Sequence, residues 1–219
     1  RFDALLCVML SAVLFLAALD MAAVDHHSAA SDFYGRMSYV AAKGHNVVNV
    51  ILVDFRAFDT LGETIVIAMA AVLARSLLLS CGVHPSQPVH FSLQMAGGGL
   101  SCLLFLSSLI ILWRGHDQPG GGFVGGLVAA LCFALLALAH GIDRAERWLR
   151  VDPLLLVGAG MLCTVLSGAP AVLAGEPFLT HLWWQPAWGL PKVGTTLLFD
   201  IGVYLVVLGA VLAFLFGLQ

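Results

Sequence analysis

The chain has 219 residues, 60% of them hydrophobic and 11% charged, with a mean hydropathy of +0.97. A soluble domain carries about 45–50% apolar and about 25% charged residues, so this composition excludes a soluble enzyme, a nucleic-acid reader and a disordered regulator. Ten Lys and Arg against thirteen Asp and Glu give a formal net charge of -3, and no stretch is basic enough to hold a polyanion.

A helix that crosses a bilayer needs about 20 mostly apolar residues, which leaves room for roughly six spans and short loops. The expected fold is therefore an all-α polytopic membrane protein. The first apolar run lies between Asp3 and Asp20, with both carboxylates at the interfaces. It lacks a small-residue cleavage site after Leu19 and is expected to stay as a span, while Arg1 in place of Met suggests a processed chain or part of a longer one. Residues 24–59 form the longest extramembrane segment, and within it residues 44–59 are expected to be interfacial or partly re-entrant. The string from Asn46 to Phe58 is apolar but too short and too charged to cross alone.

The second span runs from about Thr60 to Leu79, with Glu63 near its start and Arg75 near its end. Arg75 is expected to snorkel or to meet a lipid headgroup. Two prolines and two histidines break the hydrophobicity over residues 81–90, which reads as a linker. It divides a module of two spans, 1–80, from a four-helix module, 91–219. Spans three to six end near Trp113, Ala139, Gly175 and the C-terminus, the last opening at Pro191. Arg144, Arg147 and Arg150 place the loop after span four in the cytoplasm, and with six spans both termini join it.

Cys7, Cys81, Cys102, Cys132 and Cys163 fall in or beside apolar runs without ligand spacing, so neither zinc nor a disulfide framework is expected. His26, His27, His84 and His90 read as loop histidines, and no metal site or cofactor is expected beyond transient Na⁺ at Asp200. Trp183, Trp184 and Trp188 match an interfacial aromatic belt.

Ionisable groups at membrane depth are costly, so each is a functional candidate. Arg56 and Glu63, seven residues apart, would share a face if one helix ran through both. Thr60 followed by Glu63 also fits a capping box at a helix start, a role compatible with proton exchange. In the last span Lys192, Thr196, Asp200 and Tyr204 recur every fourth residue as one polar stripe, suited to a hydrated cation path or to pairing with a neighbouring helix. The stretch Arg114 to Leu127 carries two overlapping GxxxG pairs, Gly121 with Gly125 and Gly122 with Gly126, which let a helix neighbour approach closely. His116 and Asp117 beside them suit a polar turn or a pathway lining.

GHNVVNVILVDFRAFDTLGET, residues 44–64, resembles the C-terminal end of the large A-type component of the Mrp-type multisubunit Na⁺/H⁺ antiporters, a region shared with a small component of membrane-bound hydrogenases. RGHDQPGGGFVGGLVAA, residues 114–130, and TTLLFDIGVYLVVLG, residues 195–209, resemble the B-type component of the same antiporters. The resemblance implies one component of a prokaryotic cell-membrane antiporter that exchanges cytoplasmic Na⁺ or K⁺ for external H⁺, with the other antiporter subunits and membrane lipid as partners. It further implies ion-path roles for Arg56, Glu63 and Asp200. Such antiporters pump through buried Lys, Glu and His on broken helices, whereas Lys43 and Lys192 are the only lysines here and both lie near interfaces. The chain is thus expected to supply part of the path and a scaffold rather than the whole pump. A membrane component of a hydrogenase-like redox pump and a scaffold without ion chemistry are the alternatives.

Overall fold

The structure, a computed structural model, describes residues 2–23, 29–81, 91–184 and 192–217. His26, His27, His84, His90, Trp188 and nearly all of the expected 81–90 linker lie outside the described residues, as do the side chains of Cys7 and Cys81.

Among the described residues ten α-helices follow in chain order: α1 Phe2–Ala23, α2 Ala29–Ala42, α3 Val47–Val50, α4 Ala57–Cys81, α5 Phe91–Arg114, α6 Gly122–His140, α7 Ile142–Leu149, α8 Pro153–Leu166, α9 Ala169–Leu173 and α10 Thr195–Phe216. A π turn, Ile51–Phe55, joins α3 to α4, and the short antiparallel strands β1 Trp183–Trp184 and β2 Val193–Gly194 precede α10. Five segments among the described residues are long and apolar enough to cross a membrane: Ala57–Leu78, Ala96–Arg114, Gly122–His140, Pro153–Leu173 and Thr195–Phe216. α1 adds a further apolar helix, with Ser11–Met21 as its described apolar stretch.

Residues 1–37 and 38–219 form two compact units. In the first, α1 carries described apolar side chains that are all exposed, Val13, Leu14, Phe15 and Leu16 among them. The Arg36 guanidinium donates to the Asp32 carbonyl within α2. In the second, α10 is the hub: two thirds of it, 67%, is buried against α4, α6 and α8, while α4 is only 11% buried. Three apolar clusters meet on α10. Leu208, Leu212 and Phe216 pack on α6 residues Phe133 and Leu136; Phe199 and Val203 pack on Val53 and Ala57; Val206 and Ala213 pack on Val157 and Ala71.

Lipid gives helices no hydrophobic drive to associate, so they hold by close packing of small residues. α8 and α10 touch where a Cβ on Gly160 would lie 2.6 Å from the Gly202 carbonyl oxygen. Local signals set the ends. Asp152 accepts the Leu154 amide at 2.8 Å and Pro153 occupies the first turn of α8. Arg75 donates to the same Asp152 carboxylate rather than snorkelling, and so ties the end of α4 to the head of α8.

Candidate functional site

Asp200 sits one turn into α10 and is 4% exposed. Its Oδ1 accepts the Gly122 backbone amide at 2.9 Å, and its Oδ2 accepts the Asn49 side-chain amide at 3.3 Å. The Gly122 N–H is free to donate because it belongs to the first turn of α6, where no intrahelical acceptor exists, and the positive end of that helix favours a carboxylate. Glycine is required at 122: a Cβ there would collide with the Asp200 backbone.

Asn49 reaches Asp200 because the 44–56 segment is clamped to the loop after α5. The Asn46 side-chain amide donates to the Gly115 and Gln118 carbonyls at 2.8 and 2.9 Å, and the Asn46 backbone N–H donates to the His116 carbonyl at 3.0 Å. Asn46 also caps α3 by accepting the Asn49 amide. The following π turn shifts the hydrogen-bond register, with Arg56 N–H donating to the Ile51 carbonyl, and carbonyls of the turn bond to side chains instead. Thr60 Oγ1 donates to the Leu52 carbonyl at 2.6 Å, and His181 Nε2 pairs with the Val53 carbonyl at 2.8 Å. Since a carbonyl only accepts, His181 carries its proton on Nε2, and Nδ1 accepts from Thr195 Oγ1 at 2.8 Å. Burial pushes the His181 pKa down to about 4.

Asp200 lines two cavities. One, of about 500 Å³, is also lined by His116, Asp117, Trp183, Lys192 and Thr196. Lys192 pairs there with Asp117 at 3.1 Å and donates to the Lys43 carbonyl. His116 bonds the Ala42 carbonyl at 2.9 Å and packs on Trp183, and its burial lowers its pKa. The second cavity, of about 510 Å³, is lined by Asn49, Thr60, Glu63, Thr64 and Val203 besides Asp200. A third, of about 450 Å³, is lined by Asp54, Arg56, Asp59, Phe178 and Thr180.

Several sequence expectations change. α4 begins at Ala57, so Thr60 lies within its first turn and donates to the π turn; Thr60 and Glu63 form no capping box. Arg56 precedes the helix, pairs with Asp59 and lines the third cavity, whereas Glu63 is exposed and lines the second. Lys192 lies before β2, so the helical part of the polar stripe starts at Thr196. Tyr204 meets Ser108 of α5 at 3.0 Å and lines none of the three cavities. Trp183 is half-buried and packs on His116, while Trp184 is 69% exposed. Gly126 approaches the Tyr204 carbonyl, with a Cβ there 2.8 Å away, and Gly125 faces Ser108 and Tyr204. Gly121, at φ 109, lies against Asn49. Asn46, Asn49 and His181 went unremarked in the sequence; only the interleaved asparagines of the 46–58 string hinted at polar work there.

A bundle of spanning helices that encloses a carboxylate at the wall of two cavities defines a multi-pass membrane protein with an ionisable site among its helices. Residues 92–213 match the family described as a domain related to the MnhB subunit of Na⁺/H⁺ antiporters, and residues 1–87 match the MbhE family, the E component of MBH. The chain belongs to the MnhB-related antiporter-subunit family. It is 40% identical to the B component of the Na⁺/H⁺ antiporter of Bacillus subtilis over 53% of this chain and 84% of that protein. It is also 34% identical to a probable A/B component of a K⁺/H⁺ antiporter of Rhizobium meliloti, over 86% of this chain. It spans only 22% of that relative's length. Among solved structures, the Mrp complex of a Dietzia species matches all of this chain at TM-score 0.77 and 31% identity, over 26% of the matched chain. A chain of an archaeal membrane-bound sulfane sulfur reductase shares the fold at TM-score 0.66 and 24% identity, over 97% of its length. These likenesses agree with the apolar helices in making this a multi-pass protein of the prokaryotic cell membrane.

Proposed function

We propose that the chain is one component of a multisubunit antiporter that exchanges cytoplasmic Na⁺ or K⁺ for external H⁺, and that it supplies part of the ion path along with a scaffold between subunits. Within it, residues 1–80 act as the A-type module and 91–219 as the B-type module, joined by 81–90. The observation that carries this reading is the position of Asp200, a buried carboxylate in the wall shared by the Lys192 cavity and the Glu63 cavity. A carboxylate at such a point can take a proton or cation from one side and release it on the other. Thr196 and Lys192 would line the approach, Glu63 would take the far side, Tyr204 would hold α10 on α5, and Arg56 would act from the third cavity. No step calls for a cofactor.

The match of residues 1–87 to the MbhE family keeps a second reading in view, a membrane component of a redox-driven pump. Affinity purification of the tagged chain from its host, with mass spectrometry of what accompanies it, separates the two. Antiporter-type membrane subunits without redox proteins support the antiporter. Everted vesicles from the same cells should then show proton release on adding Na⁺ or K⁺, and the cation that elicits it is the one exchanged. Copurifying iron–sulfur proteins with no such release would overturn the proposal.

A further inference from the structure

Besides Asp200, the fold half-buries the carboxylate of Asp54, which has no hydrogen-bonded counter-charge among the described residues. Asp54 lies in the π turn, and its Oδ2 is buried without a hydrogen-bond partner among the described residues. The cation nearest in sequence, Arg56, is engaged by Asp59. Both Arg56 and Asp59 are more than half exposed, at 60% and 56%, so this pair is held weakly and is screened by solvent. Asp54 lines the third cavity with them, and the opposite wall is Phe178 and Thr180, which carry no charge.

The groups packed around the turn offer nothing better. From α10 come Phe199 and Val203. His181, just beyond Thr180, is committed through Nε2 to the Val53 carbonyl and through Nδ1 to Thr195, and its low pKa keeps it neutral. Among the described residues, the hydrogen bond that joins Asp200 to this segment comes from Asn49. An enclosed carboxylate oxygen with no donor is a costly arrangement, and a proton on it removes most of that cost.

We propose that Asp54 is a second proton-exchanging carboxyl of this chain, opening to water through the third cavity, with Arg56 as the counter-charge it draws from Asp59 when the proton leaves. In the step the Asp54 O–H bond breaks, the proton passes to a cavity water, and the electron pair stays on the carboxylate beside Arg56. The same burial pushes the Asp54 pKa up to about 7, within the range where the proton comes and goes near neutral pH. The π turn that carries Asp54 also carries the Val53 contact to His181, and α3 just before it carries Asn49, which holds Asp200.

The use made of the proton rests on the antiporter reading, but its presence is measured without transport. Infrared difference spectra of the purified complex between acid and alkaline pH should show a carboxylic C=O band that titrates near neutrality. Measured in an Asp200→Asn background, so that Asp200 adds nothing to it, the band should be absent once Asp54→Asn is added and shifted once Asp54→Glu is added. A band unchanged in Asp54→Asn overturns the proposal; if that variant fails to assemble, an unshifted band in Asp54→Glu does so instead. A band that behaves as expected in a complex without cation-dependent proton release would leave Asp54 as a proton site and sink only the antiporter reading.

Discussion

The Asp200 carboxylate and the Gly122 backbone amide meet at 2.9 Å across 78 positions of sequence, which fixes the start of α6 against the buried site of α10. The contact depends on a residue with no side chain. Gly122→Ala would drive a methyl group into the Asp200 backbone and should destabilise the protein by about 1–3 kcal/mol, the usual cost of overpacking. Gly158→Ala, which meets nothing within 4 Å, is the matched control and should be nearly neutral. Thermal melting of the purified complex compares them; equal melting temperatures would show that the helices do not meet as described.

Asp152 plays two parts, as cap of α8 and as partner of Arg75, and substitution separates them. Asp152→Ala should cost about 1–2 kcal/mol, since a lost cap costs about 1 and a part-exposed ion pair adds less than about 1. Asp152→Asn keeps the capping oxygen and should lose only the smaller share. The hydrogen bond from Arg75, the largest influence, holds the Asp152 pKa below its ordinary 3.8. The stabilisation is therefore fully present above that pH and fades as the pH falls below it. Melting curves of the two variants and the wild type against pH test the order and the sign.

His181 staples the π turn to the start of α10 in its neutral form. Its pKa falls from 6.5 in the unfolded chain to about 4 in the folded one, so the unfolded chain binds more protons between these values. Docking of residues 47–56 is thus full above pH 6.5 and weakens as the pH drops towards 4. His181→Ala leaves the Val53 carbonyl without its partner and should cost about 1–3 kcal/mol above pH 6.5, a cost that shrinks as the pH falls towards 4. The protection of amides 47–56 against hydrogen exchange, measured relative to their intrinsic rates at each pH, should fall on acidification in the wild type and lose most of that pH dependence in the variant.

Much of the architecture was legible because bilayer thickness writes itself into the chain as apolar runs, and the spans beginning at Pro153 and following Lys192 are plain examples. Asp200 was legible for the same reason, as an acid inside such a run. Its partners were not. Asn49 lies 151 positions from Asp200 and His181 lies 128 from Val53, and no local pattern links residues so far apart. The Thr60 and Glu63 pattern misled because the π turn delivers the chain into α4 at Ala57, one turn early. Arg75 looked like a residue for the lipid surface until the fold set Asp152 beside it.

The most direct test of the central claim is the rate of cation/proton exchange per assembled complex for Asp200→Asn and Glu63→Gln. Asn keeps an oxygen for the Gly122 amide, so assembly should survive, while loss of a positioned proton carrier should slow exchange by at least about tenfold. Wild-type exchange in both variants, at wild-type content of this chain in the complex, would contradict an ion path through it and leave it as a scaffold.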